Sequence, residues 1–109
     1  MISSFAVQFS TCAAARSAAE AVDAIGLDQA MPTPKGVWND YEVRVVGQHY
    51  TIVRNGVVIN EFDNTPGKQS SRPSDPPTDL RQFASGFIGL QNHSDTDLME
   101  FQNIRVRPL

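Results

Sequence analysis

The fold is decided by residues 41–62, which read YEVRVVGQHYTIVRNGVVINEF. Two-residue turns, Gly47-Gln48 and Asn55-Gly56, separate three β-rich runs: Tyr41–Val46, His49–Arg54 and Val57–Phe62. Asn-Gly between alternating apolar residues is the strongest short-range signal for a β-hairpin. The stretch therefore predicts an antiparallel three-stranded meander.

Turns of two residues also fix which residues lie opposite each other on neighbouring strands. Val46 should then face His49, and Arg54 should face Val57. In this register one face of the meander collects the apolar side chains, with Arg54 and Glu61 at its ends. The apolar residues are Tyr41, Val43, Val45, Tyr50, Ile52, Val57 and Ile59. We expect this face to be buried as the core.

The other face of the meander is mixed in character. Its expected rows across the strands are Arg44, Thr51 and Asn60, then Glu42, Val53 and Val58, then Val46, His49 and Phe62. An acid, a guanidinium, an imidazole and an amide among apolar neighbours are typical of a polar ligand site. An ordinary solvated face is the alternative.

The rest of the chain adds predicted strands and one predicted helix. Residues Phe5–Phe9, Gly86–Asn92 and Leu98–Arg107 have strand character, whereas residues 63–79 have the composition of a loop. The Ala-rich segment Thr11–Ile25 favours a helix with Thr11 as its N-cap. We expect one domain over residues 1–109, with the strand, the Ala-rich segment and a linker in 1–37 and a β-sandwich half in 38–109.

Composition and charge exclude several classes of function. The net charge of −3 argues against nucleic-acid binding, which needs clustered Lys and Arg. Cys12 is the only cysteine, so an intrachain disulfide and a Cys-based zinc site are excluded. No stretch approaches the ~20 apolar residues of a membrane span. The apolar start has no preceding basic residue, so no signal sequence is predicted, and the compartment stays open.

Several motifs together resemble one protein family. They are Trp38-Asn-Asp-Tyr-Glu-Val-Arg-Val-Val-Gly47, the Asn55-Gly56 hairpin, Gly86-Phe-Ile-Gly-Leu-Gln-Asn-His93 and Phe101-Gln-Asn-Ile-Arg-Val106. In this order and spacing they resemble the 3-keto-disaccharide hydrolase family. The resemblance covers residues 38–109 well and implies an all-β, antiparallel sandwich of the concanavalin-like jelly-roll type. It also implies that the chain corresponds to the C-terminal half of a longer family domain.

The same resemblance directs attention to a carbohydrate cleft and to residues that would act in it. Glu42 and His93 are the candidate catalytic residues, because glycoside chemistry uses carboxyl groups and His titrates near neutral pH. The candidate substrate-binding residues are Arg44, His49, Thr51, Asn60 and Gln91. For Glu42 the competing role is a cross-strand ion pair with Arg44. Gln102 stands where the family usually has a basic residue, which weakens the expectation of activity.

Three functions remain open from the sequence. The first is a hydrolase-like domain that acts on a disaccharide or modified glycoside, and the second is a carbohydrate-binding module without catalysis. The third is a half-domain that only self-assembles. Because the countable strands are few for two sheets, we expect a homodimer in which a second copy covers the apolar face. No cofactor or metal is predicted, since Asp95 and Asp97 in a polar turn are weak evidence for a calcium site.

Overall fold

The computed structural model describes residues 4–13, 33–69, 73–92 and 95–109, and its regular part is one antiparallel sheet of five strands. The strands are β1 (Phe5–Ala13), β2 (Asn39–Val46), β3 (His49–Arg54), β4 (Val57–Asp63) and β5 (Met99–Pro108), with a 3₁₀ helix at Thr78–Leu80. Their order in the sheet is β4-β3-β2-β1-β5. The predicted all-β, antiparallel class, consistent with a jelly-roll-like fold, is confirmed.

Both predicted hairpins form, and the second is anchored by its turn residue. Asn55 and Gly56 have φ of 50° and 81°, the left-handed pair that a two-residue hairpin turn requires. The Asn55 side chain accepts a hydrogen bond from the Asp40 N–H (2.9 Å) and donates one to Asn39 Oδ1 (2.9 Å). The turn therefore also fixes the beginning of β2.

The register between β2 and β3 is the predicted one, and β1 extends the same apolar face. Val45 lies opposite Tyr50, and Val43 lies opposite Ile52. On the other side of β2, the alternation of β1 places Phe5, Val7 and Phe9 opposite Val45, Val43 and Tyr41. Phe9 and Tyr41 stack with centroids 5.4 Å apart. Val7 and Val45 are buried at the centre of this face.

A β-bulge in β4 corrects the predicted register of the third strand. Val57 and Val58 pair as expected, but Ile59 is an extra residue, and Ile52 then lies opposite Asn60. Because side chains alternate between faces, the insertion reverses the face of every later residue in β4. Asn60 therefore lies on the apolar face, and Phe62 packs beside Tyr50 with centroids 6.3 Å apart. The prediction that Asn60 and Phe62 share the polar face is wrong. The expected burial of Val57 is also wrong, since this side chain at the start of β4 is 57% exposed.

Two further predictions of secondary structure are wrong. Thr11 belongs to β1 together with Cys12 and Ala13, so it is not a helix N-cap, and residues 14–25 of the predicted helix lie outside the described residues. Residues 86–92 have strand character in sequence but form no strand, and they pair with none of the five strands of the sheet. Strand propensity expresses a fit to a neighbouring strand and cannot replace one.

The irregular segment 83–90 instead lies against the apolar face of the sheet. It encloses a half-open cavity of about 700 Å³ with Phe5, Val7, Val43, Val45 and Tyr50. Its own large side chains stay exposed, including Phe83 at 70% and Phe87 at 106%. The cover that this segment provides is therefore loose.

Replacement of the bulge residue tests this packing. Ile59 is only 4% exposed, so Ile59→Ala should lower the free energy of unfolding by about 2–5 kcal/mol. Urea denaturation followed by circular dichroism measures the loss. The matched control is Val57→Ala in the same strand, where the 57% exposed side chain predicts a change within about 0.5 kcal/mol. Equal losses in the two variants would contradict the placement of Ile59.

Candidate functional site

The candidate site is the polar face of the sheet, and strands β1 and β5 contribute to it. Gln8 of β1 lies between Glu42 of β2 and Arg105 of β5. One row further along the strands, Ala6 lies between Arg44 and Arg107. The alternation that directs Phe5, Val7 and Phe9 to the apolar face thus directs the intervening side chains to this face.

Glu42 is the central carboxylate of the polar face, and its side chain is 14% exposed. Gln8 Nε2 donates a hydrogen bond to Oε2 (2.5 Å), and Arg44 forms an ion pair with Oε1. Arg107 Nη2 lies 3.9 Å from Oε2. The hydrogen bond from Gln8 and then the neighbouring guanidiniums lower the pKa of Glu42, against the opposing effect of burial. Glu42 is therefore ionised at neutral pH.

A second carboxylate, Asp40, lies on the same face one row from Glu42. The two residues are separated by one position in β2, and the repeat of an extended strand puts their Cα atoms roughly 7 Å apart. Ser10 Oγ donates a hydrogen bond to Asp40 Oδ1 (2.6 Å). The face therefore holds two hydrogen-bonded carboxylates in neighbouring rows.

An exposed charged cluster lies at the β3–β4 end of the face. His49 Nδ1 is 2.6 Å from Asp63 Oδ1, and His49 Nε2 is 3.8 Å from Glu61 Oε1. The hydrogen bond with Asp63 is the main cause that raises the pKa of His49 and lowers the pKa of Asp63. The β4 bulge creates this cluster, because it turns Glu61 and Asp63 toward the polar face.

The structure brings together four of the seven residues predicted for the site. Glu42, Arg44, His49 and Thr51 share the polar face, whereas Asn60 lies on the opposite one. Gln91 is exposed, directly after the segment that lies against the apolar face. His93 lies outside the described residues. The functional roles of all seven residues remain predictions.

Sequence reasoning missed several polar residues of this face, among them Gln8, Asp40, Arg105 and Arg107. The alternation in Phe5–Phe9 signals that Gln8 points away from the core. Its pairing with Glu42, 34 positions away, depends on long-range topology. Arg105 also depends on a bulge in β5, where Asn103 has φ of 58° and shifts the register.

The part of the chain that the structure describes contains no group of three or more His, Cys, Asp or Glu side chains placed to hold a metal ion. Within the same ranges, no helix is long and apolar enough to cross a membrane.

Comparison with protein-family models matches residues 3–107 to the 3-keto-alpha-glucoside-1,2-lyase-like domain. The chain belongs to this family. It is therefore a carbohydrate-related, hydrolase-like domain. The comparisons with curated proteins and with solved structures returned no match.

The lyase-like match confirms the resemblance inferred from the motifs and extends it toward the N-terminus. It includes β1, which the motifs after Trp38 did not cover. Because β1 carries Gln8, the residue that holds Glu42, the matched region includes the whole described polar face.

The His49 cluster gives a prediction for pH dependence. His49 has a pKa raised above 6.5, so its contribution to stability is present below pH 6.5 and is lost as the pH rises through the raised value. Asp63 has a pKa lowered below 3.8, so its contribution is present above pH 3.8 and is lost as the pH falls through the lowered value. The ion pair between His49 and Asp63 therefore stabilises the folded state most between pH 3.8 and pH 6.5.

Titration by NMR of the two histidines measures the pair directly. In Asp63→Asn the pKa of His49 should fall toward its ordinary value, because its main partner has lost its charge. Asp75→Asn is the matched control, in the loop outside the sheet, and should leave the His49 titration unchanged. An unaltered His49 titration in Asp63→Asn would contradict the ion pair.

Proposed function

We propose that the polar face binds a disaccharide or modified glycoside and that Glu42 accepts a proton from it. The observation that carries the proposal is the environment of Glu42, a central and largely covered carboxylate held ionised by Gln8 and Arg44. Arg44 and Thr51 lie in the next row of the same face and His49 in the row beyond, and together they offer donors and acceptors suited to sugar hydroxyls. Membership of a carbohydrate-related family supports the choice of ligand.

The family description names a lyase acting on a 3-keto-alpha-glucoside, and this chemistry suits one carboxylate and nearby guanidiniums. A carbonyl at C3 acidifies the hydrogen on C2. The carboxylate of Glu42 takes that proton, the C2–H electron pair forms the C1–C2 double bond, and the C1–O bond breaks. The leaving alkoxide takes a proton from water. Arg44 or Arg107 would stabilise the negative charge that develops on the carbonyl oxygen.

Glycoside hydrolysis of the usual kind instead needs two carboxyl groups. Asp40 is the neighbouring carboxylate on this face and already accepts a hydrogen bond from Ser10. In that reaction Glu42 and Asp40 would share the roles of acid and base. His93 stays a predicted catalytic residue, and Gln91 stays a predicted substrate-binding residue.

A binding module without catalysis is the second candidate, and one observation favours it. Both oxygens of Glu42 are engaged by Gln8 and Arg44, and the lowered pKa makes the carboxylate a weaker base. In this ionised state Glu42 can orient a ligand by accepting its hydrogen bonds without taking a proton from it.

Turnover of a 3-keto-α-glucoside with a p-nitrophenyl leaving group tests the catalytic proposal. Glu42→Gln should lower the rate of p-nitrophenol release by about 10²–10⁴-fold, the usual contribution of a general base. Glu61→Gln is the matched control, because it removes an exposed carboxylate from the same face. This variant should release p-nitrophenol at a rate close to that of the unaltered protein. His93→Ala belongs in the same series and should also lower the rate.

Calorimetric titration with the corresponding glucoside separates the alternatives. Sugar binding without turnover by the unaltered protein would favour the binding module. Equal rates for Glu42→Gln and the unaltered protein would show that Glu42 is not the residue that takes the proton. Absence of both binding and turnover would leave self-assembly as the function.

We also propose that the protein is a homodimer in which a second copy covers the apolar face. The apolar cavity is half open, and Phe87, Ile88 and Leu90 beside it are exposed. In the described ranges β4 and β5 each have only one neighbouring strand. An open edge and an apolar face together favour association with a second chain.

Light scattering across a dilution series measures the association. A dimer predicts twice the chain mass of 12.0 kDa at high concentration, and Phe87→Ser should weaken the association. Val46→Ser on the polar face is the control, since Val46 is 53% exposed away from the proposed interface. A cooperatively folded species of monomer mass at every concentration would contradict the dimer.

A further inference from the structure

Three of the chain's seven arginines meet on one side of the polar face. Arg44 comes from β2, and Arg105 and Arg107 come from β5, more than sixty positions later. Strand β1 alone separates them, with Gln8 opposite Arg105 and Ala6 opposite both Arg44 and Arg107. The sheet topology therefore concentrates positive charge in a protein whose net charge is −3.

The surface between these guanidiniums is shallow and lined by a small residue. Ala6 is fully buried, so only a methyl group lies beneath the space between Arg44 and Arg107. The side chains of Arg44 and Arg107 are 50% and 54% exposed. The two guanidiniums are thus accessible to a ligand that lies over Ala6.

The carboxylates of the face do not neutralise this arginine cluster. Glu42 is the one carboxylate paired with Arg44 and Arg107. Asp40 accepts its hydrogen bond from Ser10, and Glu61 and Asp63 lie beside His49 on the far side of β2. Among the described residues Arg105 has no ion-pair partner. Among the described residues, Glu42 is therefore the one carboxylate that pairs with this cluster of three positive charges.

We propose that Arg44, Arg105 and Arg107 bind the carboxylate of an acidic carbohydrate, so that the ligand of this face is a uronic acid glycoside. A guanidinium presents its donors in a planar fork that matches a carboxylate. The proposal rests on the proposed function, since it names the class of sugar that the same face takes. Gln8 and Thr51, which carry no charge, bind hydroxyl groups of the same sugar.

Titration of the full-length protein with methyl α-D-glucuronide and methyl α-D-glucoside tests the charge requirement, because the two differ only at C6. We expect binding of the glucuronide to be at least tenfold tighter at low salt. The preference should shrink as sodium chloride is added, since it depends on charge. Arg105→Gln and Arg107→Gln should each reduce it severalfold, whereas Arg54→Gln, which removes the same charge on the other face, should not.

Each remaining outcome overturns the proposal in a distinguishable way. Equal affinity for the two methyl glycosides would overturn the acidic sugar and leave the proposed function standing. Binding of neither by a protein that does bind the 3-keto-α-glucoside would overturn the acidic sugar alone, whereas binding of none of the three would overturn both. Inorganic phosphate that binds as tightly as the glucuronide would overturn the sugar as the source of the anion. A preference for the glucuronide that is unchanged in both Arg105→Gln and Arg107→Gln would show that the carboxylate of the sugar binds outside the arginine cluster.

Discussion

The pairing of β1 between β2 and β5 is the constraint on which the rest of the structure depends. It joins residues 5–13 to residues 39–46 and 99–108, and so brings segments that are far apart in sequence into one sheet. The same strand supplies Phe5, Val7 and Phe9 to the apolar face and Gln8 to Glu42 on the other. Loss of this strand would separate Arg107 from Glu42 and expose the buried faces of Val43 and Val45.

The features that could be predicted from the sequence are those that depend on interactions between residues close together in the chain. The hairpins at Gly47-Gln48 and Asn55-Gly56 were predictable because turn residues and alternation are local signals. The bulges near Ile59 and Asn103 were not, since an inserted residue is stabilised by packing across strands. That is why Glu42, Arg44, Thr51 and His49 were placed on the correct face and Asn60 was not.

The two bulges also shape the electrostatics of the polar face. The bulge in β4 turns Glu61 and Asp63 toward His49, and the one in β5 aligns Arg105 with Gln8. The face becomes acidic toward β4 and basic toward β5, with Glu42 between them. A neutral sugar would gain little from this separation of charge, whereas a ligand with one anionic group would be oriented by it.

The apolar face sets how rigidly these charges are held. Val7 and Val45 are buried directly beneath the strands that carry Gln8 and Arg44, so packing on one side restrains donors on the other. A site that positions a carboxylate and a proton acceptor needs such restraint, because small displacements cost much of the binding and the rate. Segment 83–90 covers this face loosely. Whatever completes the cover therefore stabilises the ligand-competent arrangement of Glu42 and Arg44 as well as the fold.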